Sequence, residues 1–357
     1  MATSGRRSRL VVLCAALLAA GALLLVPAPQ REGAGPPAAI AVWPAAQRSA
    51  IPADLPDGAT FTPVTFADVK TAIGTAPTAD GKALRLLIRH GDGSLRQLRS
   101  LPMSANPSYP SVTLAGGALI WVESGAGGRL GLWTADLADA RAPRRLTADA
   151  GPARFYQSQY DLVVADGRVH WVADGRNNDT EIRSVPLAGG PVTVRAEPGS
   201  WQLSAWPWLV NGVAAAGGST TLRNLAAHQD VGVATARRAV TKCSPTWCRS
   251  VSFGRDGFPR IVLTHPDGSA RHEVATGEVE TQIADVAALD RFEIYGKIGP
   301  NGTLTGNAEI RLYEIATRRT VTISPDASGV DYRNGVLWWS TGSQESFVRH
   351  ALDLRTI

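Results

Sequence analysis

The sequence predicts an all-β fold, and three observations support this prediction. Short runs rich in β-branched and aromatic residues alternate with Gly, Pro and Asp-Gly turns, and no long amphipathic helix interrupts them. A glycine followed four residues later by tryptophan recurs in GALIWVESG (117–125), GRVHWVADG (167–175) and GVLWWSTG (335–342). A second phrase, IRHGDGS at 88–94, returns as LTHPDGS at 263–269, and its Asp-Gly pair is typical of a hairpin turn.

The spacing of these phrases predicts a repeated sheet of four strands. Strands that follow the turns begin at seven positions, separated by 49, 50, 45, 34, 44 and 45 residues: Val69, Ala118, Arg168, Val213, Trp247, Arg291 and Val336. Repeats of ~40 to 50 residues are typical of propeller blades. In the second unit we expect strands at 111–114, 118–123, 130–136 and 144–147. Apolar residues occupy both faces of such strands, as stacked sheets require. The sequence therefore predicts a seven-bladed β-propeller with four-stranded antiparallel blades.

The last unit predicts how the ring of blades closes. Its strands at 329–333, 336–341 and 347–354 leave no outer strand before the chain ends. The stretch IAVW at 40–43 has no place in the first unit, so we expect it to pair with the last unit as the fourth strand. Such pairing protects the edges of the sheet from association with other chains.

The N-terminal region predicts a membrane segment. Residues 10–26 carry no charge and follow the basic stretch GRRSR, which is the pattern of an export signal. The run is nearly long enough to span a bilayer, so 1–27 is either a signal-anchor or transmembrane helix or a cleaved signal peptide. We expect a tether rich in Pro, Gly and Ala at 28–38 and a propeller domain at 39–357. The predicted location is the cell membrane, single-pass with an extracytoplasmic C-terminal domain, or secreted if the signal is cleaved.

The charge of the chain argues against nucleic acid as a partner. The formal net charge is +5, but without the three arginines that precede the apolar run, 33 basic residues face 31 acidic ones. This balance offers no electrostatic footprint for a polyanion. Only four of the 36 basic residues are lysine, a composition typical of a high-GC bacterium such as an actinobacterium. We expect a monomeric domain, with an envelope protein or a cell-wall glycan as the candidate partner.

Cys243 and Cys248 in CSPTWC predict a disulfide bond. The export signal would deliver them to an oxidising compartment, where such pairs form bonds. Zinc would need two further soft ligands, and a redox pair would favour Cys-x-x-Cys spacing. The sequence also lacks a G-x-S-x-G elbow, a phosphate-binding loop, a dinucleotide fingerprint and an H-E-x-x-H motif. It therefore predicts no cofactor, no metal and no catalytic residue.

The endings HWVAD, IWVES and WWST, each after a turn glycine, resemble the repeats of the TolB-like and YWTD-like families of secreted β-propellers. The resemblance covers about residues 40–357. The Ser-Pro-Asp-Gly phrase of TolB repeats is represented by HPDGS and SPDAS. What the resemblance implies is a propeller fold, export and binding to other macromolecules.

Aromatic and basic residues between the predicted blades form the candidate binding surface. We expect the connectors between units to lie at the same face of the disc as the loop at 174–179. Trp, Tyr and Arg supply much of the energy of typical interfaces, although such residues also cover the ends of a core. The loop sequence DGRNND suits either a calcium ion or an ordinary hairpin turn, and we favour the turn. The candidate residues are Tyr109, Arg154, Phe155, Tyr156, Arg176, Asn177, Trp201, Trp206 and Trp208.

Together these observations predict a non-catalytic, membrane-anchored binding or scaffolding module at the bacterial cell envelope. The alternative is a metal-dependent propeller hydrolase such as a lactonase, because acids and amides around a central channel can hold a metal ion. His90 and His265 precede equivalent Asp-Gly turns, so the repeat explains them better than catalysis does.

Overall fold

The computed structural model describes residues 35–357 except 140, 213–216, 237, 300, 301 and 343–345. The chain divides into two compact units, Met1–Pro36 and Pro37–Ile357, and every described strand belongs to the second. Within the described residues, no helix has the length and apolar character needed to cross a bilayer. This finding contradicts the predicted single-pass location in the cell membrane. The segment that carried the prediction, 1–27, lies outside the described residues.

Short antiparallel strands make up almost all of the regular structure. The first, β1 (Arg48–Pro52), follows a four-residue helix, α1 (Ala39–Val42), and the helix α2 (Gly302–Thr305) is equally short. Five sheets contain four strands each, and in every one the spatial order of strands equals their order along the chain. Sheets of this kind form from consecutive hairpins. The recurring turn glycines serve those hairpins, because Gly117 and Gly167 have φ values of 82° and 70° that favour glycine.

The five sheets follow one another along the chain. Sheet 1 contains β2 (Thr62–Asp68), β3 (Thr71–Pro77), β4 (Ala83–His90) and β5 (Leu95–Pro102); sheet 2 contains β6 (Ser108–Ala115), β7 (Ala118–Ser124), β8 (Leu130–Asp136) and β9 (Arg144–Thr147). Sheet 3 contains β10 (Val163–Ala165), β11 (Arg168–Asp174), β12 (Thr180–Pro186) and β13 (Thr193–Glu197). Sheet 4 contains β14 (Trp201–Leu203), β15 (Trp208–Asn211), β16 (Thr221–Asn224) and β17 (Gln229–Gly232); sheet 5 contains β18 (Ala239–Cys243), β19 (Cys248–Phe253), β20 (Pro259–Thr264) and β21 (His272–Thr276).

A seven-stranded sheet completes the domain. It contains β1 and six further strands, which are β22 (Val279–Thr281), β23 (Phe292–Ile298), β24 (Ala308–Glu314), β25 (Arg319–Arg333), β26 (Val336–Thr341) and β27 (Val348–Asp353). The strand β25 has 15 residues and takes part in two ladders. Its first part, from Arg319 to Ala327, pairs with β24, and its second part, from Ser328 to Arg333, pairs with β26. The predicted all-β architecture of four-stranded antiparallel sheets is confirmed.

The strand that closes the last group is β1, so the prediction that 40–43 would do so was wrong. Residues from Arg48 to Pro52 pair antiparallel with β27, while 40–43 lie in and just after α1. The reason lies in side-chain contacts. The Arg48 guanidinium donates hydrogen bonds to the carbonyl oxygens of Ala39 and Trp43, at 3.0 and 2.9 Å, and so holds the helical turn. The ring of Trp43 packs edge-on against Phe292, with 6.0 Å between centroids.

Tryptophans of the recurring phrase pack between neighbouring sheets. Trp121 of sheet 2 is fully buried in a cluster with Ile73 of sheet 1, and Trp171 of sheet 3 is fully buried in a cluster with Ile120 of sheet 2. Burial of such large apolar surfaces is the main force that holds the sheets together.

A disulfide bond joins β18 to β19, as predicted. Cys243 and Cys248 lie directly opposite each other in the ladder, with an S–S distance of 2.05 Å. The bond pins the hairpin whose turn contains Trp247, and this ring is buried against β22, β23 and β24 of the seven-stranded sheet.

Candidate functional site

Connectors between sheets and the turns between second and third strands meet at one end of the sheets. Antiparallel strands alternate in direction, so both kinds of loop lie on the same side, which we name the connector face. In sheet 3 the connector before β10 hydrogen-bonds to the end of β11. The N–H of Arg154 donates to the carbonyl of Val172 at 3.0 Å, and the N–H of Asp174 donates to that of Pro152, also at 3.0 Å. The side chains of Arg154 and Asp174 form an ion pair.

The loop at 175–179 is a tight hairpin turn. The N–H of Gly175 donates to the carbonyl of Asp179 at 2.8 Å, and Asn177 adopts a positive φ of 55°. The side chains of Arg176 and Asn177 are exposed on the connector face. Within the part of the chain that the structure describes, no three His, Cys, Asp or Glu side chains converge as metal ligands.

The predicted tryptophans serve mainly as packing groups. Trp201 is 6% exposed, donates its indole N–H to the carbonyl of Pro198 at 2.7 Å and lies under the guanidinium of Arg223. The ring of Trp206 lies on that of His170, with 3.8 Å between centroids. Trp208 packs against the small apolar cluster between sheets 4 and 5. Their contribution to an exposed surface is therefore small.

Three other predicted residues are also half-buried. Tyr109 lies in β6, and its hydroxyl group has no hydrogen-bond partner among the described residues. Burial, followed by the negative charge of Glu123, raises the pKa of this hydroxyl. Phe155 packs against the cluster between sheets 2 and 3, and Tyr156 packs against the cluster between sheets 3 and 4.

The segment 155–161 reaches across the domain to two distant sheets, and we name it the crossing segment. Ser158, 1% exposed, donates its hydroxyl to a carboxylate oxygen of Asp285 at 2.5 Å. The N–H of Gln159 donates to the other oxygen of Asp285 at 3.1 Å. From the strand β25, the Arg333 guanidinium donates to the carbonyl of Ser158 at 3.4 Å. Residues 127 and 175 positions apart in the sequence therefore meet here, from the connector before β10, the segment between β22 and β23, and the end of β25.

Three carboxyl groups lie near this crossing, of which Asp161 and Asp285 are buried and Asp331 is half-buried. Burial raises the pKa of Asp161 to about 6, even though its carboxylate accepts hydrogen bonds from the N–H groups of Tyr156 and Ser158. Burial likewise raises the pKa values of Asp285 and Asp331. The positive charge of Arg333 lowers the pKa of all three, but burial is the larger effect.

Sequence reasoning missed this cluster. Only the polar run QSQYD before β10 and the inward pair Asp331 and Arg333 on one face of β25 gave a signal.

Two cavities border the crossing segment. One, of about 180 Å³, is lined by Gln159, Tyr160 and Arg333 together with parts of β6 and β10. The other, of about 40 Å³, is lined by Ser158, Tyr160, Lys242 and Asp285 among others. Burial lowers the pKa of the Lys242 ammonium group. The polar groups around the crossing segment are therefore divided between these two cavities.

Comparisons with known proteins bear on the fold. No protein-family model matches the chain, and no curated protein matches its sequence. A puromycin-hydrolysing peptidase of Mycobacterium tuberculosis is 13% identical, with a TM-score of 0.54 over 82% of this chain and 51% of that one. A prolyl endopeptidase structure is 16% identical, with a TM-score of 0.52 over 87% of this chain and 48% of that one. TolB of Acinetobacter baumannii is 10% identical, with a TM-score of 0.43 over 71% and 63% of the two chains.

This chain spans about half the length of the two peptidases, which it matches through their propeller domains. At 13% and 16% identity, the similarity to the two peptidases concerns the fold alone. A TolB-like or YWTD-like family and an actinobacterial source stay predictions. The chain has a β-propeller fold.

Proposed function

We propose that this chain is a seven-bladed β-propeller that acts as a non-catalytic binding module. This count divides the seven-stranded sheet into two blades that share β25. Sheet 6 contains β22, β23, β24 and the first part of β25 as its outer strand. Sheet 7 contains the second part of β25 as its inner strand, followed by β26, β27 and β1. Seven apolar clusters among the described residues support the count, because each bridges two successive sheets. One of them joins Trp338 of sheet 7 to Phe66 of sheet 1, with 5.3 Å between ring centroids.

The closing strand gives this architecture a direct test. Deleting residues 48–52 exposes the edge of β27 and removes the Arg48 bonds to α1, so we expect a lower melting temperature and a tendency to associate. Thermal unfolding and light scattering measure both effects. An unchanged melting temperature would count against closure by β1.

The observation that carries the binding function is the construction of the connector face. The connector that begins with the Arg154–Asp174 ion pair continues into the crossing segment, which is held by Asp285 and Arg333. This loop is fixed at one end by the ion pair and at the other end by Asp285 and Arg333, so it is pre-organised. Pre-organisation lowers the entropic cost of binding. The exposed Arg176 stands beside this connector in the 175–179 turn. An arginine with neighbouring amide groups can donate hydrogen bonds to a protein or to a glycan. The proposed partners are therefore envelope proteins and cell-wall glycans.

The test compares the connector face with the opposite end of the sheets. The double variant Arg176→Ala/Asn177→Ala removes exposed polar groups from the connector face. The matched control Arg271→Ala/Gln229→Ala removes an arginine and an amide that are exposed beside the third-to-fourth strand turns, on the opposite side. Binding of the purified chain to immobilised cell-wall glycans and to envelope proteins is then measured. We expect the first variant alone to lose affinity, and equal effects of both variants would contradict recognition by the connector face.

A further inference from the structure

The cavity of about 180 Å³ is bordered by a buried guanidinium that forms no ion pair among the described residues. Arg333 is 9% exposed and lines the cavity of about 180 Å³. Among the described residues its one hydrogen bond goes to the carbonyl of Ser158 at 3.4 Å, and its Nε–H has no hydrogen-bond partner there. Because a buried charge that lacks hydrogen bonds is destabilising, this guanidinium has donors available for an anion.

Two other buried arginines show how this environment differs. Arg249, 3% exposed, forms an ion pair with Glu293 at 2.8 Å and donates to three backbone carbonyl groups. Arg89, 8% exposed, donates to the carbonyl of Pro52 at 2.7 Å and lies 5.9 Å from the centroid of the Phe61 ring. Both are packed against protein groups. Arg333 instead borders open space, and its planar fork matches the two oxygens of a carboxylate.

The walls of the cavity indicate the rest of the ligand. Val112, Leu114 and Leu162 provide an apolar side, while Gln159 and Asn334 add amide groups near Arg333. A carboxylate that carries a short hydrocarbon body uses both kinds of wall. The volume of about 180 Å³ lies below that of pockets for drug-sized molecules, ~300–1,000 Å³, and therefore limits the ligand to a small molecule.

Neighbouring charges favour a monoanion over a dianion. Asp161, Asp285 and Asp331 all interact electrostatically with Arg333 but do not line this cavity. Their negative charges partly offset that of Arg333 and oppose every anion, but they oppose a doubly charged phosphate more strongly than a singly charged carboxylate. We propose that the cavity beside Arg333 binds a small organic monocarboxylate through that guanidinium. The cavity borders the crossing segment, but carboxylate binding there does not require that the connector face bind a partner.

The test uses titration calorimetry on the whole chain with acetate, butyrate and hexanoate, and with inorganic phosphate for comparison. Affinity should rise by about fourfold for each methylene group that the apolar wall accepts. Phosphate should bind more weakly than butyrate. In Arg333→Gln, the affinity for hexanoate should fall by about tenfold or more, because the charged hydrogen bonds are lost. In Arg333→Lys, part of the affinity should return.

Arg89→Gln is the matched control, because Arg89 is equally buried and also lacks an ion pair among the described residues. Its affinity for hexanoate should equal that of the unaltered chain. If Arg333→Gln does not fold, methyl NMR of the unaltered chain provides the second measurement, with hexanoate shifting signals of Val112 and Leu162 but not of the exposed Val194. Equal affinity in Arg333→Gln and Arg89→Gln, or an absence of shifts at Val112 and Leu162, overturns the proposal and leaves a cavity filled by water.

Discussion

Replacing Asp161 by Asn should remove a pH dependence from the stability of this propeller. The carboxyl group is 2% exposed, and burial raises its pKa to about 6 from an ordinary value of 3.8. Because the folded chain binds this proton more tightly than the unfolded chain, the group stabilises the fold below pH 3.8. That contribution is lost as the pH rises through about 6. An Asn side chain has no proton to lose, and its oxygen can still accept the N–H bonds of Tyr156 and Ser158.

The size of the effect follows from the two pKa values. A difference of about 2 in pKa, at 1.36 kcal/mol each, gives ~3 kcal/mol over the whole range, of which roughly 1.4 kcal/mol falls between pH 5.0 and 7.5. Asp285 and Asp331 act in the same direction, so the unaltered chain should lose more than this amount. The difference between the unaltered chain and Asp161→Asn isolates the one group.

Urea unfolding at a series of pH values measures this difference. The free energy of unfolding of Asp161→Asn should decline less steeply from pH 5.0 to 7.5 than that of the unaltered chain. Asp149→Asn, at a side chain that is 75% exposed, serves as the surface control and should keep the slope of the unaltered chain. Parallel slopes for all three proteins would refute the argument that burial dominates at Asp161.

Three further changes test the packing of the domain. Glu293→Gln should lower the free energy of unfolding in urea by ~3 to 5 kcal/mol, because it leaves the guanidinium that pairs with this fully buried carboxylate without a counter-ion. Replacing Cys243 and Cys248 by Ala should cost about 2 kcal/mol in the same assay, as expected for so short a closed loop, and a reductant should then have no further effect. Gly74→Ala should cost ~1 to 3 kcal/mol, because its new Cβ would lie 2.4 Å from a carbonyl oxygen of β2, whereas Gly125→Ala meets nothing within 4 Å and should melt with the unaltered chain.

Local patterns were enough to predict the second strand of most sheets to within about two residues. In sheet 2 the expected strands 118–123 and 130–136 differ from Ala118–Ser124 and Leu130–Asp136 by at most one residue. They are fixed by turn glycines and by apolar residues close by in the sequence, so a single chain shows them.

Sheet 4 departed from its expected position. Its second strand was predicted from Val213, which lies outside the described residues, but the strand observed there is Trp208–Asn211. The second strands of sheets 4 and 5 were predicted to begin 34 residues apart, at Val213 and Trp247. In the structure they begin 40 residues apart, at Trp208 and Cys248.

The crossing at the axis could not be predicted from local patterns. Ser158 and Asp285 are 127 residues apart, and the contact depends on the position of whole sheets. Residue type alone also could not separate packing from exposure among the aromatic residues of the connectors. Trp201 is 6% exposed, whereas Trp206 is half-buried with its ring on that of His170, and a role of either in binding stays a prediction.

The continuity of β25 has a consequence for how the ring responds to load and to changes in length. Most neighbouring sheets are linked by a connector that can absorb an added residue, whereas β25 runs without interruption through both halves of the seven-stranded sheet. A tensile force on β26 and β27 should therefore pass directly to β24 as shear along that strand. An inserted peptide should be accommodated at the other junctions, while at this one it would shift the register of two ladders at once.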